Sequence, residues 1–311
     1  MSSSAMASST CAWAGVIPAV TTQFAADLSV DIESSQRVHD ALIRDGVHAL
    51  IAIGTVGENN SLDAEEKIAV VTAAVEAAAG RVPVIAGVSE MTTERAKTFA
   101  RAAERAGASG LMLLPAMVYV PSEAELLEHF RSVAQSTSLP IMLYNNPPAY
   151  RVSVTMASLG GLTDLPNVVA IKESAPDPRR FTDLHNAFGD RYALFAGLDD
   201  VALEGLVLGA RGWITGLTNA FPLESLALWS ALQRGDLPAA LAIYRWFMPL
   251  LHLDADPDLV QSIKLAEQIM GRGCERVRMP RMPLAGERRR QVTRMVETAA
   301  ATRPALMSAA A

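Results

Sequence analysis

Cysteine is scarce in this chain, whose 311 residues include only Cys11 and Cys274. Two cysteines, the second in a glycine-containing segment that is typical of a loop, predict no disulfide framework and fit a reducing, cytoplasmic environment. Long apolar runs are also missing, and none reaches the ~18–20 residues that a membrane-spanning helix requires. We therefore expect a cytoplasmic protein without a membrane partner.

Positive charge is not in excess, since the formal net charge is −6. The Arg288-Arg289-Arg290 cluster is too short to form a nucleic-acid-binding surface and is typical of one turn of a solvated helix. The five histidines show no metal-ligand spacing. Neither the glycine-rich signatures of nucleotide-binding loops nor a Gly-x-Ser-x-Gly motif occurs. We expect no nucleic-acid partner, no metal and no cofactor.

Three aspartates alternate near the C-terminal end, at Asp254, Asp256 and Asp258. They lack the glycine and the distal glutamate of a calcium-binding loop. We interpret this segment as a turn followed by a helix cap.

Half of the residues are hydrophobic, and short apolar runs alternate with longer amphipathic segments. The short runs predict strands at residues 16–20, 49–53, 84–86, 110–114, 141–144, 168–172, 193–196 and 212–215. The amphipathic segments predict helices at residues 32–44, 64–79, 92–106, 123–136, 154–159, 179–188, 199–208 and 223–233. Strict alternation indicates a parallel sheet with crossover helices. Eight such units predict a TIM (β/α)8 barrel, with an open doubly wound sheet as the alternative.

The alternation stops after residue 235. Helical patterns follow with no strand between them, at residues 236–253, 258–270 and 287–302. We therefore predict a barrel over residues 13–235 and a C-terminal appendage of three helices over residues 236–303. Residues 1–12 and 304–311 are predicted to be disordered tails.

Lysine is also scarce, at four of the 27 basic residues. Three of them, Lys67, Lys97 and Lys264, lie in predicted helices and are expected on polar faces. Lys172 instead ends an apolar, β-branched run that is typical of a buried parallel strand. A buried ammonium is rare unless it is paired, and desolvation lowers the pKa of a lysine. Lys172 is therefore a candidate for an imine-forming nucleophile toward a 2-oxo acid, the alternative being a lysine paired with a carboxylate at the rim.

Other polar residues end neighbouring strands, where the active site of a barrel lies. Tyr144 could exchange protons with an imine, or it could be a packed aromatic residue with a satisfied hydroxyl. The turn Gly54-Thr55-Val56-Gly57 could bind a carboxylate through backbone N–H groups, or it could be an ordinary loop.

The chain resembles the dihydrodipicolinate synthase / N-acetylneuraminate lyase family of Schiff-base aldolases and lyases. The matching segments lie in the same order and spacing along essentially the whole chain, at residues 15–22, 54–58, 144–147, 171–174 and 197–200. The resemblance implies a TIM barrel, usually tetrameric, that acts on a 2-oxo acid or cyclic imino acid. It implies catalytic roles for Lys172, Tyr144 and Thr55. The expected substrate-binding residues are Val56, Gly54, Asn145, Gly197 and Thr215.

Three departures argue against the synthases of this family. The synthases have two adjacent threonines in the strand 2 loop, and here the second is Val56. Their tyrosine pair after the strand 4 proline, one of which reaches a neighbouring subunit, is replaced by Ala116-Met117-Val118-Tyr119, so we expect that relay to be absent. Their arginine for the second substrate's carboxylate is replaced by Ala149, with Arg151 nearby.

The chain is more similar to a catabolic branch associated with hydroxyproline breakdown. That branch implies deamination of Δ1-pyrroline-4-hydroxy-2-carboxylate to 2,5-dioxopentanoate, with Asn145, Asn59 or Thr218 as candidates for contacting the substrate hydroxyl. The alternatives are an aldolase or dehydratase for a 2-oxo-3-deoxy sugar acid, a 4-hydroxy-tetrahydrodipicolinate synthase, and a catalytically silent barrel that senses 2-oxo acids.

Overall fold

A computed structural model describes residues 11–116 and 119–304 of the chain. The predicted tails at residues 1–12 and 304–311 therefore fall almost entirely outside the described residues. Met117 and Val118, which carry part of the predicted loss of the tyrosine relay, lie outside them as well.

Within the described residues, eight parallel strands form a nearly closed barrel, as the alternation predicts. They are β1 Gly15–Pro18, β2 Leu50–Ala52, β3 Val84–Val88, β4 Gly110–Leu113, β5 Ile141–Asn145, β6 Val168–Glu173, β7 Ala193–Ala196 and β8 Gly212–Thr215. Each strand is paired with its neighbours in the order β1-β8-β7-β6-β5-β4-β3-β2. A parallel bridge between Ala19 and Ile51 joins the ends of this order. The TIM-barrel prediction is confirmed.

Helices surround the strands. They are α1 Ile32–Asp45, α2 Ala64–Ala78, α3 Thr93–Arg105, α4 Glu123–Ala134, α5 Pro147–Tyr150, α6 Met156–Gly160, α7 Arg179–Phe188, α8 Ala202–Val207, α9 Pro222–Gln233, α10 Leu237–Leu251, α11 Leu259–Ile269 and α12 Gly286–Ala301. Capping boxes at Asp63 and Ser122 fix the starts of α2 and α4. The short helix α5 is absent from the sequence prediction, because one turn is too short to show a periodic apolar pattern.

Strand alternation divides the core into an interior and an outer layer. In β5, Met142 and Tyr144 belong to the cluster inside the barrel, whereas Ile141 and Leu143 pack in the layer under the helices. Successive side chains of a strand point to opposite faces. Tyr144 therefore faces the inside of the barrel near the end of β5.

The three C-terminal helices α10, α11 and α12 pack beside the barrel, as the appendage prediction requires. The predicted boundary at residues 235–236 falls in the turn between α9 and α10. The expectation of a polar face is wrong for Lys264, because this α11 side chain is fully buried in an ion pair with Glu58. The described helices include none that is both long and apolar enough to cross a membrane.

Candidate active site

The carboxyl ends of the barrel strands surround a cavity that contains Lys172. Residues from six strand ends, from β4 and from the C-terminal region line this cavity. They are Ala19, Thr55, Val56, Met112, Tyr144, Asn146, Ala149, Tyr150, Lys172, Gly197, Leu198, Ile214, Thr215, Gly216, Asp254 and Leu259. Larger grooves lie elsewhere on the surface, but neither Lys172 nor Tyr144 lines them.

Lys172 and Tyr144 lie side by side because the register of β5 and β6 pairs them. Lys172 Nζ is 4.0 Å from the centroid of the Tyr144 ring, and 7% of the lysine is exposed. Burial lowers the pKa of Lys172, although the negative charges of Asp254 and Asp199 act in the opposite direction. No ion pair found among residues 11–116 and 119–304 includes Lys172, so a rim salt bridge does not explain its position.

Gly197 makes room for the Lys172 side chain. A Cβ atom at this position would lie 2.7 Å from Lys172 Cγ and 2.8 Å from its Cε. Such distances are far inside van der Waals contact, so a larger residue would displace the lysine stem. The sequence prediction placed Gly197 at the substrate, and the structure places it in the cavity wall against Lys172.

Tyr144, Tyr150 and Thr55 bring three hydroxyl groups together. The Tyr150 and Thr55 hydroxyl oxygens are 3.0 Å apart, and the two tyrosine rings meet edge to face at 5.5 Å between centroids. Asn146 Nδ2 donates to the Tyr144 hydroxyl at 2.9 Å. Burial raises the pKa of Tyr144 to about 12, against hydrogen bonds from neighbours that include Tyr150. Both phenols are therefore protonated at neutral pH and can pass protons along a chain.

The loop after β2 presents unused backbone donors to the cavity. Thr55 and Val56 line it, and the N–H groups of Thr55, Val56 and Gly57 have no hydrogen-bond acceptor among the described residues. Gly57 is required here, since a Cβ would lie 2.9 Å from Ile53 Cα. Gly54 does not line the cavity, so its expected substrate contact is not supported by its placement. Of the three free N–H groups, those of Thr55 and Val56 belong to residues that line the cavity, and two adjacent N–H groups can bind a carboxylate.

Asn145 does not line the cavity, so its predicted substrate contact is not supported by its placement. Its Nδ2 donates to Glu173 Oε1 at 2.7 Å, and its Oδ1 accepts from the Val154 N–H at 2.8 Å. Glu173 also accepts from Arg180 Nε at 2.8 Å. The residues after Tyr144 and Lys172 thus form a buried polar network on the outer face of the barrel.

Thr215 lines the cavity at the end of β8, but its hydroxyl is engaged. It donates to Asp199 Oδ2 at 3.0 Å, and Asp199 also accepts from Trp213 Nε1 at 2.9 Å and from the Leu217 N–H at 2.9 Å. Burial, and secondarily the charge of Asp254, raises the pKa of Asp199 well above its usual value. Asp199 therefore fixes the end of β8.

Asn59 and Thr218 do not reach the cavity. The Asn59 amide donates to the carbonyl oxygens of Ile53 and Gly87. The Thr218 hydroxyl donates to Ser225 Oγ at 2.8 Å and lies 3.2 Å from Thr215 Oγ1. Neither residue lines the space around Lys172. Their candidate contact with a substrate hydroxyl is therefore not supported by their placement.

Two polar cavity residues, Tyr150 and Asp254, were missed by the sequence prediction. Tyr150 follows Tyr144 by six positions, and only the short helix α5 returns its hydroxyl to Thr55. Asp254, interpreted from sequence as part of a turn and helix cap, lines the cavity from a 3₁₀ turn, His252–Asp254. Burial raises the pKa of Asp254 to about 6, opposed by the nearby Lys172.

No group of three or more His, Cys, Asp or Glu side chains in the described ranges is arranged to bind a metal ion. The groups that converge on the cavity are an amine, three hydroxyls, a carboxylate and free backbone N–H donors. Such a set can perform imine formation and proton transfer on a small carbonyl or imine compound.

Comparison with known proteins places this cavity in a family context. The chain matches the family described as the dihydrodipicolinate synthetase family over residues 12–299. It is 32% identical over 270 residues to a 4-hydroxy-tetrahydrodipicolinate synthase of Pseudomonas aeruginosa, covering 86% of this chain and 91% of that protein. It is 36% identical over 282 residues to a protein of the same name from Sorangium cellulosum, and the alignment covers 89% of this chain and 92% of that protein.

Solved structures give the same result. Dihydrodipicolinate synthase from Aquifex aeolicus superimposes with a TM-score of 0.88 at 28% identity, covering 92% of this chain and 98% of that one. A second structure is that of YagE, a prophage protein of E. coli K12 that belongs to the dihydrodipicolinic acid synthase family and was solved in complex with pyruvate. It also has a TM-score of 0.88 at 28% identity, and the alignment covers 93% of this chain and 99% of that one. The chain therefore belongs to the dihydrodipicolinate synthetase family, whose members are enzymes of the aldolase and lyase class.

Proposed function

We propose that this protein is a Schiff-base-forming lyase that converts Δ1-pyrroline-4-hydroxy-2-carboxylate to 2,5-dioxopentanoate and ammonia in hydroxyproline breakdown. The observation that carries the proposal is the composition of the cavity. Among the described residues that line it, Lys172 is the one basic side chain, and no arginine is present. Ala149 lines the cavity where the synthases are expected to hold the second substrate's carboxylate. A substrate with a single carboxylate fits this cavity better than two carboxylate substrates.

Lys172 begins the reaction by attacking C2 of the pyrroline ring. Because burial lowers the pKa of Lys172, more of it is neutral at pH 7 than of an exposed lysine. The free N–H groups of Thr55 and Val56 hold the C2 carboxylate. The bond between C2 and the ring nitrogen then breaks, with its electron pair left on that nitrogen. The product is a Lys172 imine on a linear chain with an amine at C5.

The imine acidifies C3, so that a proton leaves C3 and the C4 hydroxyl leaves as water. A proton then moves from C5 to C3 to give an enamine at C4 and C5, and a proton from the amine nitrogen moves to C4, which places an imine at C5. Hydrolysis of the C5 imine gives the aldehyde and ammonia, and hydrolysis of the Lys172 imine gives the 2-oxo group. One molecule of water is consumed overall. The Tyr144 hydroxyl, linked through Tyr150 to Thr55, is the group that moves these protons.

Two assays test the proposal with purified enzyme. Ammonia release from Δ1-pyrroline-4-hydroxy-2-carboxylate is followed with glutamate dehydrogenase, and 2,5-dioxopentanoate is followed with a semialdehyde dehydrogenase. We expect both products in equal amounts, and none from Lys172→Ala. Turnover of a linear 2-oxo-3-deoxy sugar acid, with no ammonia from the pyrroline compound, contradicts the proposal.

A second candidate is 4-hydroxy-tetrahydrodipicolinate synthase, favoured by the names of the relatives from Pseudomonas aeruginosa and Sorangium cellulosum. Its test is condensation of pyruvate with aspartate semialdehyde. A rate comparable with that on the pyrroline compound would make the synthase the better assignment. Borohydride treatment with pyruvate distinguishes both enzymes from a silent barrel, because either enzyme leaves a reduced adduct on Lys172.

We also propose a homotetramer, which rests on the family resemblance alone. Size-exclusion chromatography with light scattering should give four times the mass of the 33.1 kDa chain. A monomer at micromolar concentration contradicts this assembly.

A further inference from the structure

Asp254 is a carboxylate that the C-terminal region contributes to the catalytic cavity. The 3₁₀ turn His252–Asp254 follows α10 and directs this side chain toward the end of β8. A Cβ atom at Gly216 would lie 2.6 Å from Asp254 Oδ1, so only a glycine there lets the carboxylate occupy its position. Asp254 and Gly216 line the same space as Lys172 and Tyr144.

Asp254 has no ion pair among the described residues, unlike Asp200, Asp256 and Asp258. Asp256 and Asp258 both pair with Arg288, and Asp200 contacts His252. No hydrogen bond or ion pair recorded for residues 11–116 and 119–304 provides Asp254 with a side-chain donor. Its polar surroundings are the Asp199 backbone N–H and the charges of Lys172 and Asp200. Lys172 is the cationic neighbour of this half-buried carboxylate, but the two side chains form no ion pair, so a cationic ligand can still supply a direct partner.

We propose that Asp254 binds the positively charged distal end of the substrate after the ring opens, and thereby selects against substrates with a second carboxylate. The identity of this cation as the C5 ammonium rests on the proposed function. When the Lys172 nitrogen bonds to C2, a proton passes from it to the ring nitrogen. As the bond between C2 and the ring nitrogen breaks with its electron pair on that nitrogen, the second proton of the Lys172 nitrogen also passes to it. This leaves the Lys172 imine and a primary amine, and the amine takes up a proton from solvent.

The position of Asp254 suits this role. Lys172 holds C2 at the barrel axis and the loop after β2 holds the C2 carboxylate, so the rest of the substrate extends away from Thr55 and Val56. Asp254 enters from the β7 and β8 side, beside Leu198 and Gly216. A carboxylate there attracts an ammonium and repels an anionic distal group. It would also keep the C5 amine close to C2 until the elimination occurs.

Three probes of similar length separate binding of the distal group from effects on Lys172. Δ1-Pyrroline-2-carboxylate opens on Lys172 to a chain with a distal ammonium, 2-oxopentanoate has an apolar end, and 2-oxoglutarate has a distal carboxylate. Each is titrated against the wild-type enzyme with cyanoborohydride, and the Lys172 adduct is measured by intact-protein mass spectrometry. We expect half-saturation at the lowest concentration for the pyrroline probe and at the highest for 2-oxoglutarate.

Asp254→Asn should act on the probes selectively. A charge-assisted hydrogen bond contributes about 1.5–3 kcal/mol, so half-saturation by the pyrroline probe should rise about 10- to 100-fold. The value for 2-oxopentanoate should change less than about threefold, and 2-oxoglutarate should bind more tightly. Asp256→Asn is the matched control, since Asp256 lies two residues away and outside the cavity lining; it should leave all three values unchanged.

An equal change for all three probes would overturn the proposal, because it would mean that Asp254 acts only as a counterion of Lys172. Asp254→Ser provides a second variant if the asparagine variant unfolds, as judged by its thermal melting. The probes do not require elimination. A wild-type enzyme that ranks them as expected but releases no ammonia from the hydroxylated substrate therefore refutes the proposed function and supports the role of Asp254.

Discussion

The ammonium of Lys264 and the carboxylate of Glu58 form an ion pair inside the protein, with Nζ 2.8 Å from Oε1 and both side chains fully buried. Lys264 Nζ also donates to the Thr22 carbonyl at 2.8 Å. Glu58 ends the loop that begins at Thr55, and its backbone is left-handed with φ of 55°. The pair thus joins helix α11 to the loop that faces the cavity.

Lys264→Met should destabilise the protein strongly. The substitution leaves the Glu58 carboxylate buried without its cation, and loss of one partner of a buried pair costs about 3–5 kcal/mol in the free energy of unfolding. Urea denaturation followed by circular dichroism measures the loss. The double variant Lys264→Met/Glu58→Gln should recover part of it, because the uncompensated charge is gone. If the free energy of unfolding of Lys264→Met lies within about 1 kcal/mol of the wild-type value, the ion pair is not a desolvated one.

Glu267 makes stability depend on pH. Burial raises its pKa to about 7, against hydrogen bonds from Thr21 and the charge of Lys264. The folded state then holds this proton more tightly than the unfolded state. The stabilisation is fully present below the unfolded pKa near 4.5 and is lost as pH rises to about 7. The free energy of unfolding falls by on the order of 3 kcal/mol over this pH range.

Glu267→Gln should therefore flatten the dependence of unfolding free energy on pH between about 5 and 8. The measurement is urea denaturation at several pH values. Glu65→Gln on the exposed face of α2 is the control. Its unfolding free energy should depend on pH with the same slope as in the wild type. An unchanged slope in Glu267→Gln would assign the pH dependence to other groups.

The barrel could be predicted because its signals are local. Short β-branched runs alternate with amphipathic helices eight times. Each of these patterns can be recognised from neighbouring residues alone, without information on contacts distant in sequence. Lys172 and Tyr144 were found the same way, as polar residues at the ends of apolar strands. The buried state of Lys264 could not be found, because its partner Glu58 lies 206 positions away and helical periodicity does not show which helix face meets the barrel.

The placement of Asn145 could not be predicted, because one position decides which face of a strand a side chain occupies. Asn145 follows Tyr144, so its side chain points away from the cavity and toward Glu173. The cavity positions of Asp254 and Tyr150 were not predicted for another reason. Each lies in a short turn or one-turn helix, and the path of such a segment depends on tertiary packing rather than on its own pattern.

Asn145→Ala should reduce stability more than catalysis. The substitution removes one donor to the buried Glu173 and the acceptor of the Val154 N–H. Leaving such buried groups unsatisfied costs about 1–3 kcal/mol each. Thermal melting and urea denaturation should detect the loss, while KM for the pyrroline substrate stays near the wild-type value. A large rise in KM at unchanged stability would instead support the sequence-based assignment of Asn145 to substrate binding.

Tyr150→Phe tests whether the chain supplies its own second tyrosine. The phenol bridges Thr55, at 3.0 Å, and Tyr144 within one subunit, so it can carry a proton between them. Loss of a positioned proton donor lowers kcat by about 10²-fold or more. Imine formation should survive, because Lys172 and the backbone donors of the loop after β2 are unchanged.

The measurements are kcat for ammonia release and the Lys172 adduct formed with pyruvate and cyanoborohydride. Thr55→Ser is the matched control, since it retains a hydroxyl beside Tyr150 and should keep most of the activity. Phenylalanine preserves the edge-to-face contact with Tyr144 and removes only the hydroxyl. A Tyr150→Phe enzyme with kcat within about threefold of the wild-type value would show that Tyr150 has only a packing role. Tyr144 would then transfer protons without it.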